Sequence, residues 1–264
     1  MDLDLSDFER ARAVLAWYAD MGVEEAVGVE PADWSTPAPA ASAAAPSSGR
    51  AAPKPRAPAR SSADEAAAEA ARIASACETI DALADAVAAF DGCPLKAGAR
   101  STVFCDGVAT SSLLVIGEAP GRDEDRIGKP FVGRAGHLLD AMLSSIGRSR
   151  NENALISNVI FWRPPGNRTP TPEEVAMCRP FVIRLVELMR PKAVALMGGA
   201  AAQALSGLEG GVMRARGTWR SIETADGAVP ALVMLHPAFL LRQPATKRTA
   251  WRDLLSLETE LNKP

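Results

Sequence analysis

Four short apolar runs constrain the fold of this 264-residue chain more than any other feature: Ser111-Ser-Leu-Leu-Val-Ile-Gly117, Ala154-Leu-Ile-Ser-Asn-Val-Ile160, Ala193-Val-Ala-Leu-Met-Gly198 and Pro230-Ala-Leu-Val-Met-Leu235. None shows a strict apolar/polar alternation, so each reads as a strand buried on both faces. Helical spacing occupies the stretches near 64–75, 78–90 and 135–147, then Glu173–Arg190 behind Pro172, 199–207 and 248–262. Strands alternating with helices imply a parallel sheet whose crossovers cover both faces. The expected fold is α/β, a three-layer α/β/α arrangement with a central four-stranded parallel sheet, spanning residues 64–264 with no internal repeat.

Two different segments precede that domain. Leu5, Phe8, Val14, Leu15 and Tyr18 fall near helical spacing behind a Ser6 cap with Glu9 three residues on, so residues 1–34 are expected to carry one amphipathic helix, roughly 6–21. It either docks on the domain or binds a protein partner. Residues 35–63 are rich in Pro, Ala and Ser without apolar periodicity, the composition of a disordered linker. Charge is segregated along the chain: residues 64–90 hold six acids against Arg72 alone, whereas residues 91–264 hold 22 bases against 17 acids. A basic body suits a polyanionic partner, and a solvated mixed surface would have the same composition.

Several classes are disfavoured by inventory. No apolar run approaches the roughly 20 residues of a membrane span, and the acidic start Met1-Asp2-Leu3-Asp4-Leu5 lacks the basic and apolar regions of a secretory signal, so a cytoplasmic monomer is the expectation. With only His137 and His236 in the chain, a three-histidine zinc centre is excluded by counting. Four cysteines make no disulfide framework in a chain of this size.

Ligands of an open parallel sheet bind beyond the carboxyl ends of its strands. The first strand runs into Gly117-Glu118-Ala119-Pro120-Gly121, the second carries Asn158 and leads to Arg163-Pro-Pro, the third gives Gly198-Gly199, and the fourth gives His236-Pro237-Ala238. A carboxylate, an amide and an imidazole converge, with no nucleophile elbow and no phosphate-loop lysine, which disfavours acyl and phosphoryl transfer. Taken singly, Asn158 reads better as a strand-end cap, Phe131 as a core residue and His236 as a satisfied turn residue.

Three longer motifs stand around these residues: Gly117-Glu-Ala-Pro-Gly-Arg-Asp-Glu-Asp-Arg-Ile-Gly-Lys-Pro-Phe-Val-Gly-Arg-Ala-Gly-His-Leu-Leu-Asp140, Asn158-Val-Ile-Phe-Trp-Arg-Pro-Pro165 and His236-Pro-Ala-Phe-Leu-Leu-Arg242. In sequence, order and spacing they closely resemble the motifs of family-4 uracil-DNA glycosylases, over about residues 90–262. The resemblance implies hydrolysis of the N-glycosidic bond of deoxyuridine in DNA, releasing uracil and leaving an abasic site, in base excision repair.

That chemistry suits the residue types. Cleavage builds negative charge on the departing base and positive charge on the sugar, so the site needs a donor at uracil O2, which His236 can supply, and an anion near the sugar, which Glu118 can supply. A carboxamide both accepts from N3–H and donates to O4, so Asn158 can tell uracil from cytosine. The resemblance further implies that Phe131 stacks on the flipped base, that Ala119 makes backbone contacts, that Glu124 is a supporting carboxylate, and that Leu240, Leu241 and Arg242 wedge into the duplex, with Arg163 as a further DNA contact. In family-1 enzymes a water-orienting Asp stands where this chain has Ala119, which leaves Glu118 as the nominee for that step.

One departure concerns the cofactor. Family-4 enzymes usually hold a four-iron four-sulfur cluster on four cysteines. Phe90 and Trp162 occupy two of those positions here, and Cys93 and Cys178 remain. Cys77, in an expected helix, and Cys105, in an expected turn, lack the spacing to substitute, so no cofactor is expected and the two bulky side chains are expected to plug the vacated volume. An alternative to turnover is a protein that binds uracil DNA without catalysis or traps it covalently, as an offshoot of this superfamily does through a histidine in a loop inserted after the second motif. Here that loop, Arg163–Pro170, is short and contains no histidine.

Overall fold

The computed structural model describes residues 62–263. The expected N-terminal helix and almost all of the expected linker lie outside the described residues. Ser62 and Ala63, the linker's last two positions, already belong to the first helix.

In chain order the helices are α1 (Ser62–Ala76), α2 (Ile80–Ala89), α3 (Arg122–Ile127), α4 (Arg134–Ser144), α5 (Pro172–Met189), α6 (Gly199–Ser206), α7 (Val212–Ala215), α8 (Pro237–Arg242) and α9 (Lys247–Leu261). The strands are β1 (Cys105–Gly107), β2 (Leu113–Gly117), β3 (Leu155–Asn158), β4 (Ala193–Met197), β5 (Trp219–Thr224) and β6 (Gly227–Met234). They form one sheet in the order β1-β3-β2-β4-β6-β5. The central four, β3-β2-β4-β6, are parallel as expected. Two further strands close the edges antiparallel, β1 on β3 and β5 on β6, so the sheet has six strands rather than four.

Alternation of side chains across the pleat divides the core in two. Leu114, Ile116, Val194, Leu196, Ala231 and Val233 face one way, into a cluster completed by α1, α2 and α5. Leu113, Val115, Ala193, Ala195, Leu232 and Met234 face the other, against α4, α8 and α9. All twelve are fully buried, which at roughly 1.5–3 kcal/mol for each large aliphatic side chain explains why these short runs define the fold.

Local signals set the helix starts nearest the strand ends. Thr171 and Glu174 form a reciprocal capping box at α5, with Pro172 in the first turn. At α3 the Glu124 side chain reaches back to the Gly121 N–H. Both devices place a loop over the carboxyl edge of the parallel strands.

Two cysteines lie elsewhere than expected. Cys77 follows α1 in the connection to α2, and Cys105 opens the edge strand β1 instead of sitting in a turn.

Candidate active site

A cleft of about 510 Å³ opens at the carboxyl edge of the central strands. It is lined by Glu118 and Ala119 after β2, Asn158 at the end of β3, His236 after β6, Phe131 from the α3–α4 connection, and Arg242 at the end of α8. Distant sequence positions meet here because of the strand order: β2 and β3 are neighbours, with Gly117 registered beside Asn158, and β4 and β6 follow on the other side of β2, which brings the end of β6 to the same edge.

Gly117 is the floor. A methyl group on its Cα would lie 2.4 Å from Asn158 Oδ1 and 2.5 Å from Phe131 Cζ, so only a hydrogen leaves room for the amide and the ring together. Asn158 is 2% and Phe131 5% exposed, each offering the cleft a small part of its surface. The Phe131 ring stacks on the His236 imidazole, centroids 5.4 Å apart and planes 28° from parallel. The cleft thus has an aromatic wall and a carboxamide, the two things needed to hold a planar amide-bearing ring.

His236 is the N-cap of α8. Its Nδ1 accepts the backbone N–H of Ala238 at 3.1 Å, so the neutral ring carries its proton on Nε2. Burial, followed by the positive charge of Arg242, lowers its pKa to about 4. At neutral pH it is a neutral donor. Gly198, at φ 99°, passes its Cα so close that a Cβ would touch the His236 side chain at 3.3 Å, and only glycine takes that backbone conformation without strain. Glu118 is half-buried, and loss of solvent raises its pKa above the usual carboxylate range.

The loop carrying Phe131 is held by its polar groups. Glu124 Oε1 accepts from the N–H groups of Val132 and Gly133, both at 2.9 Å, and its Oε2 accepts from Gly121 at 3.1 Å. Phe131 itself has φ 52°, a left-handed conformation that costs a non-glycine residue roughly 1–2 kcal/mol. Glu124 is therefore a brace of the loop.

The expected duplex wedge separates into parts. Leu240 is 1% exposed and packs into the core with α4 and α9, so it cannot enter a duplex without unpacking that core. Leu241 is half-buried and Arg242 exposed, and of the two Arg242 lines the cleft. Arg163 does not line the cleft; its Nε donates to Asn167 Oδ1 at 2.7 Å and stiffens the loop after the second motif. That loop also supplies wall residues that sequence reasoning missed, Pro164, Asn167, Arg168 and Thr169. Arg168 is fixed by a two-pronged ion pair with the buried Glu174, at 2.6 and 2.9 Å. The Thr171–Glu174 capping signal was visible in the sequence and marks where this wall is anchored.

A profile of the uracil DNA glycosylase superfamily matches residues 104–255, which contain every cleft residue named above. The chain belongs to this superfamily. It is 37% identical over 171 residues to the type-4 uracil-DNA glycosylase of Archaeoglobus fulgidus, covering 63% of this chain and 85% of the relative. To the type-4 uracil-DNA glycosylase of Thermotoga maritima it is 34% identical over 189 residues, or 70% of this chain and 96% of the relative. The match to the Pyrobaculum aerophilum type-4 enzyme is 37% over 170 residues. These matches place it in the type-4 branch of the superfamily, and its α/β sheet with helices on both faces is the corresponding three-layer fold.

The branch raises the matter of the iron–sulfur cluster. Cys93 and Cys178 meet in the core, 1% and 0% exposed, and the Cys178 thiol, held well above its usual pKa by its hydrogen bond to Cys93 and by burial, remains protonated. Around them Phe90 packs edge-on against Phe181 at 5.2 Å, and Trp162 edge-on against Phe161 at 5.9 Å, its Nε1–H donating to Thr102 Oγ1. The Phe90 ring also folds over Gly92, where a Cβ would meet it at 2.3 Å. Cys77 donates to the carbonyls of Ile73 and Ala82, while burial, reinforced by the charges of Asp106 and Asp81, pushes Cys105 up to about 12. Two thiols amid close-packed aromatic rings do not fit a cluster that needs four thiolates. Among the described residues no group of three or more His, Cys, Asp or Glu is placed to hold a metal ion.

Proposed function

We propose that this chain is a monofunctional uracil-DNA glycosylase that hydrolyses the N-glycosidic bond of deoxyuridine in DNA, releases free uracil and leaves an abasic site for base excision repair. The observation that carries the reading is the neutral His236, its Nδ1 occupied by Ala238, stacked on Phe131 in a cleft shared with Asn158. An extrahelical uracil stacks on Phe131, and Asn158 accepts from its N3–H and donates to its O4. As the bond to the sugar breaks, negative charge gathers on the uracil, and His236 Nε2–H stabilises it at O2 without a proton transfer that a cationic imidazole would invite. Glu118, on the sugar side, is assigned the stabilisation of the developing oxocarbenium and the orientation of the attacking water. Backbone groups at Ala119 help hold the base, and Arg242, with Leu241, meets the duplex at the rim.

No step runs through an iron–sulfur cluster. The packing of Phe90 and Trp162 supports its replacement by an apolar plug, so purified protein is expected to be colourless near 400 nm and to contain no stoichiometric iron. No helix among the described residues is long and apolar enough to cross a membrane, and the partner of the cleft is uracil-containing DNA.

The test is incubation with an excess of a labelled uracil-containing oligonucleotide, followed by alkali treatment and, separately, a denaturing gel without alkali. Multiple turnovers, alkali-dependent strand breaks and free uracil are expected. A stoichiometric heat-stable adduct without turnover would instead establish covalent trapping.

A further inference from the structure

We infer that Arg150, which lies outside all three motifs, is a positioning residue for the base-stacking platform, acting through the backbone of Phe131. This rests on the assignment of Phe131 as that platform. Arg150 follows α4 in the connection to β3, and its side chain is 12% exposed. All three guanidinium nitrogens are engaged. Nη2 donates to the Phe131 carbonyl at 2.7 Å and Nη1 to the Pro130 carbonyl at 2.9 Å. Nε and Nη2 both reach Asp140 Oδ1 at 2.9 Å, and Nη1 also reaches Asp106 Oδ2 at 3.0 Å.

The loop is thereby gripped by opposite charges on its two kinds of polar group. Glu124 takes the N–H groups of Val132 and Gly133, and Arg150 takes the carbonyls of Pro130 and Phe131. Between them sits the one residue of this loop whose backbone is left-handed without being glycine. The Phe131 carbonyl lies under Gly136, where a Cβ would stand 1.9 Å from its oxygen, so the peptide has no room to turn towards α4. Arg150 blocks the remaining escape and anchors the peptide to α4 through Asp140 and to the edge strand β1 through Asp106, which Lys129 also holds at 2.8 Å. A planar guanidinium with five fixed N–H groups can serve four acceptors at once, which an ammonium cannot.

The orientation of the Phe131 ring over Gly117 and against His236 follows from that peptide. Without Arg150 the peptide can flip towards a right-handed conformation, and the ring swings out of register with the amide of Asn158. A misplacement of about 1 Å in a positioned group can cost about 10²-fold in rate.

The experiment is a double-mutant cycle in the full chain with Arg150→Met, Phe131→Ala and the double variant, read by single-turnover uracil excision, affinity for uracil-free duplex, and affinity for free uracil by calorimetry. Arg150→Met is expected to lower excision by about 10- to 100-fold and weaken free-uracil binding, with uracil-free duplex binding within about twofold. In the Phe131→Ala background it should cost nothing further, since the group it positions is gone. Arg150→Lys keeps part of the donor set and should fall between, so it gives the same reading if Arg150→Met folds poorly. Losses that add in the double variant, or an Arg150→Met enzyme with wild-type excision and uracil affinity, would overturn the inference. An inactive wild type would instead overturn the glycosylase assignment, and free-uracil affinity would still report on Arg150.

Discussion

Replacing Gly117 with alanine tests whether the amide and the ring must occupy the positions described. The strand is paired on both sides, with β3 and with β4, so its backbone cannot retreat. The added methyl would lie 2.4 Å from Asn158 Oδ1 and 2.5–2.6 Å from two ring carbons of Phe131, where ordinary contacts need about 3.5 Å. Each neighbour must therefore move by about 1 Å, and the loop behind Phe131 is clamped by Glu124. Overpacking of this kind destabilises by about 1–3 kcal/mol, which for a domain of this size lowers Tm by several degrees. The rate effect should be larger, about 10²-fold, because both base-contacting groups shift together. Single-turnover excision from a labelled uracil oligonucleotide, well below the measured Tm, separates the two effects, and binding to uracil-free duplex should be unchanged. A Gly117→Ala protein that loses stability but excises within threefold of wild type would refute the claim that catalysis depends on this geometry.

His236→Ala is expected to lower excision about 10²-fold, the usual cost of one preorganised donor to a developing anion; single-turnover rates check it. Because the folded pKa of His236, about 4, lies below its unfolded value near 6.5, the neutral ring's contribution to stability is complete above about pH 6.5 and is lost as pH falls towards 4, so denaturation midpoints should drop over that window in wild type and not in His236→Gln. Excision should show no inflection near pH 6.5; its acid limb should follow the raised Glu118 carboxyl and disappear in Glu118→Gln. Asn158→Ala should abolish most excision while leaving uracil-free duplex binding intact, since phosphate contacts position the protein and the amide reads the base, as gel-shift and excision assays on the same preparation would show.

The parallel centre of the fold was legible because β2 and β4 are fully buried and therefore continuously apolar. The edge strands were not. β1 has three residues, and β5, Trp-Arg-Ser-Ile-Glu-Thr, buries only Ile222. A signal for β5 was nonetheless present: Asp226-Gly227 marks a hairpin turn, Asp226 closing the two-residue loop after β5 and Gly227 opening β6 at φ 123°. Pro230 looked like a strand start but lies inside β6, on the stretch that pairs with β5.

The site divides along a similar line. Glu118, Asn158 and His236 could be placed because each lies at a strand end or within two residues of one, so that the position of its Cα is settled largely by the sheet. Which of two adjacent leucines in a six-residue helix faces inward is settled by what α8 packs against, and Leu240 went to the core while Leu241 stayed half-buried outside it. The same limit hid Arg150. Its acceptors come from residue 106, residues 130 and 131, and residue 140, three separate places whose meeting depends on the edge strand and on the turn after α4, neither of which has a periodicity to detect. Residues that touch the reacting base can thus be reached from strand ends and motifs, whereas residues that orient them are distributed through the tertiary structure. Phe131 links the two sets: its ring faces His236 over Gly117, and its backbone conformation is held from behind by charges that no local pattern announces.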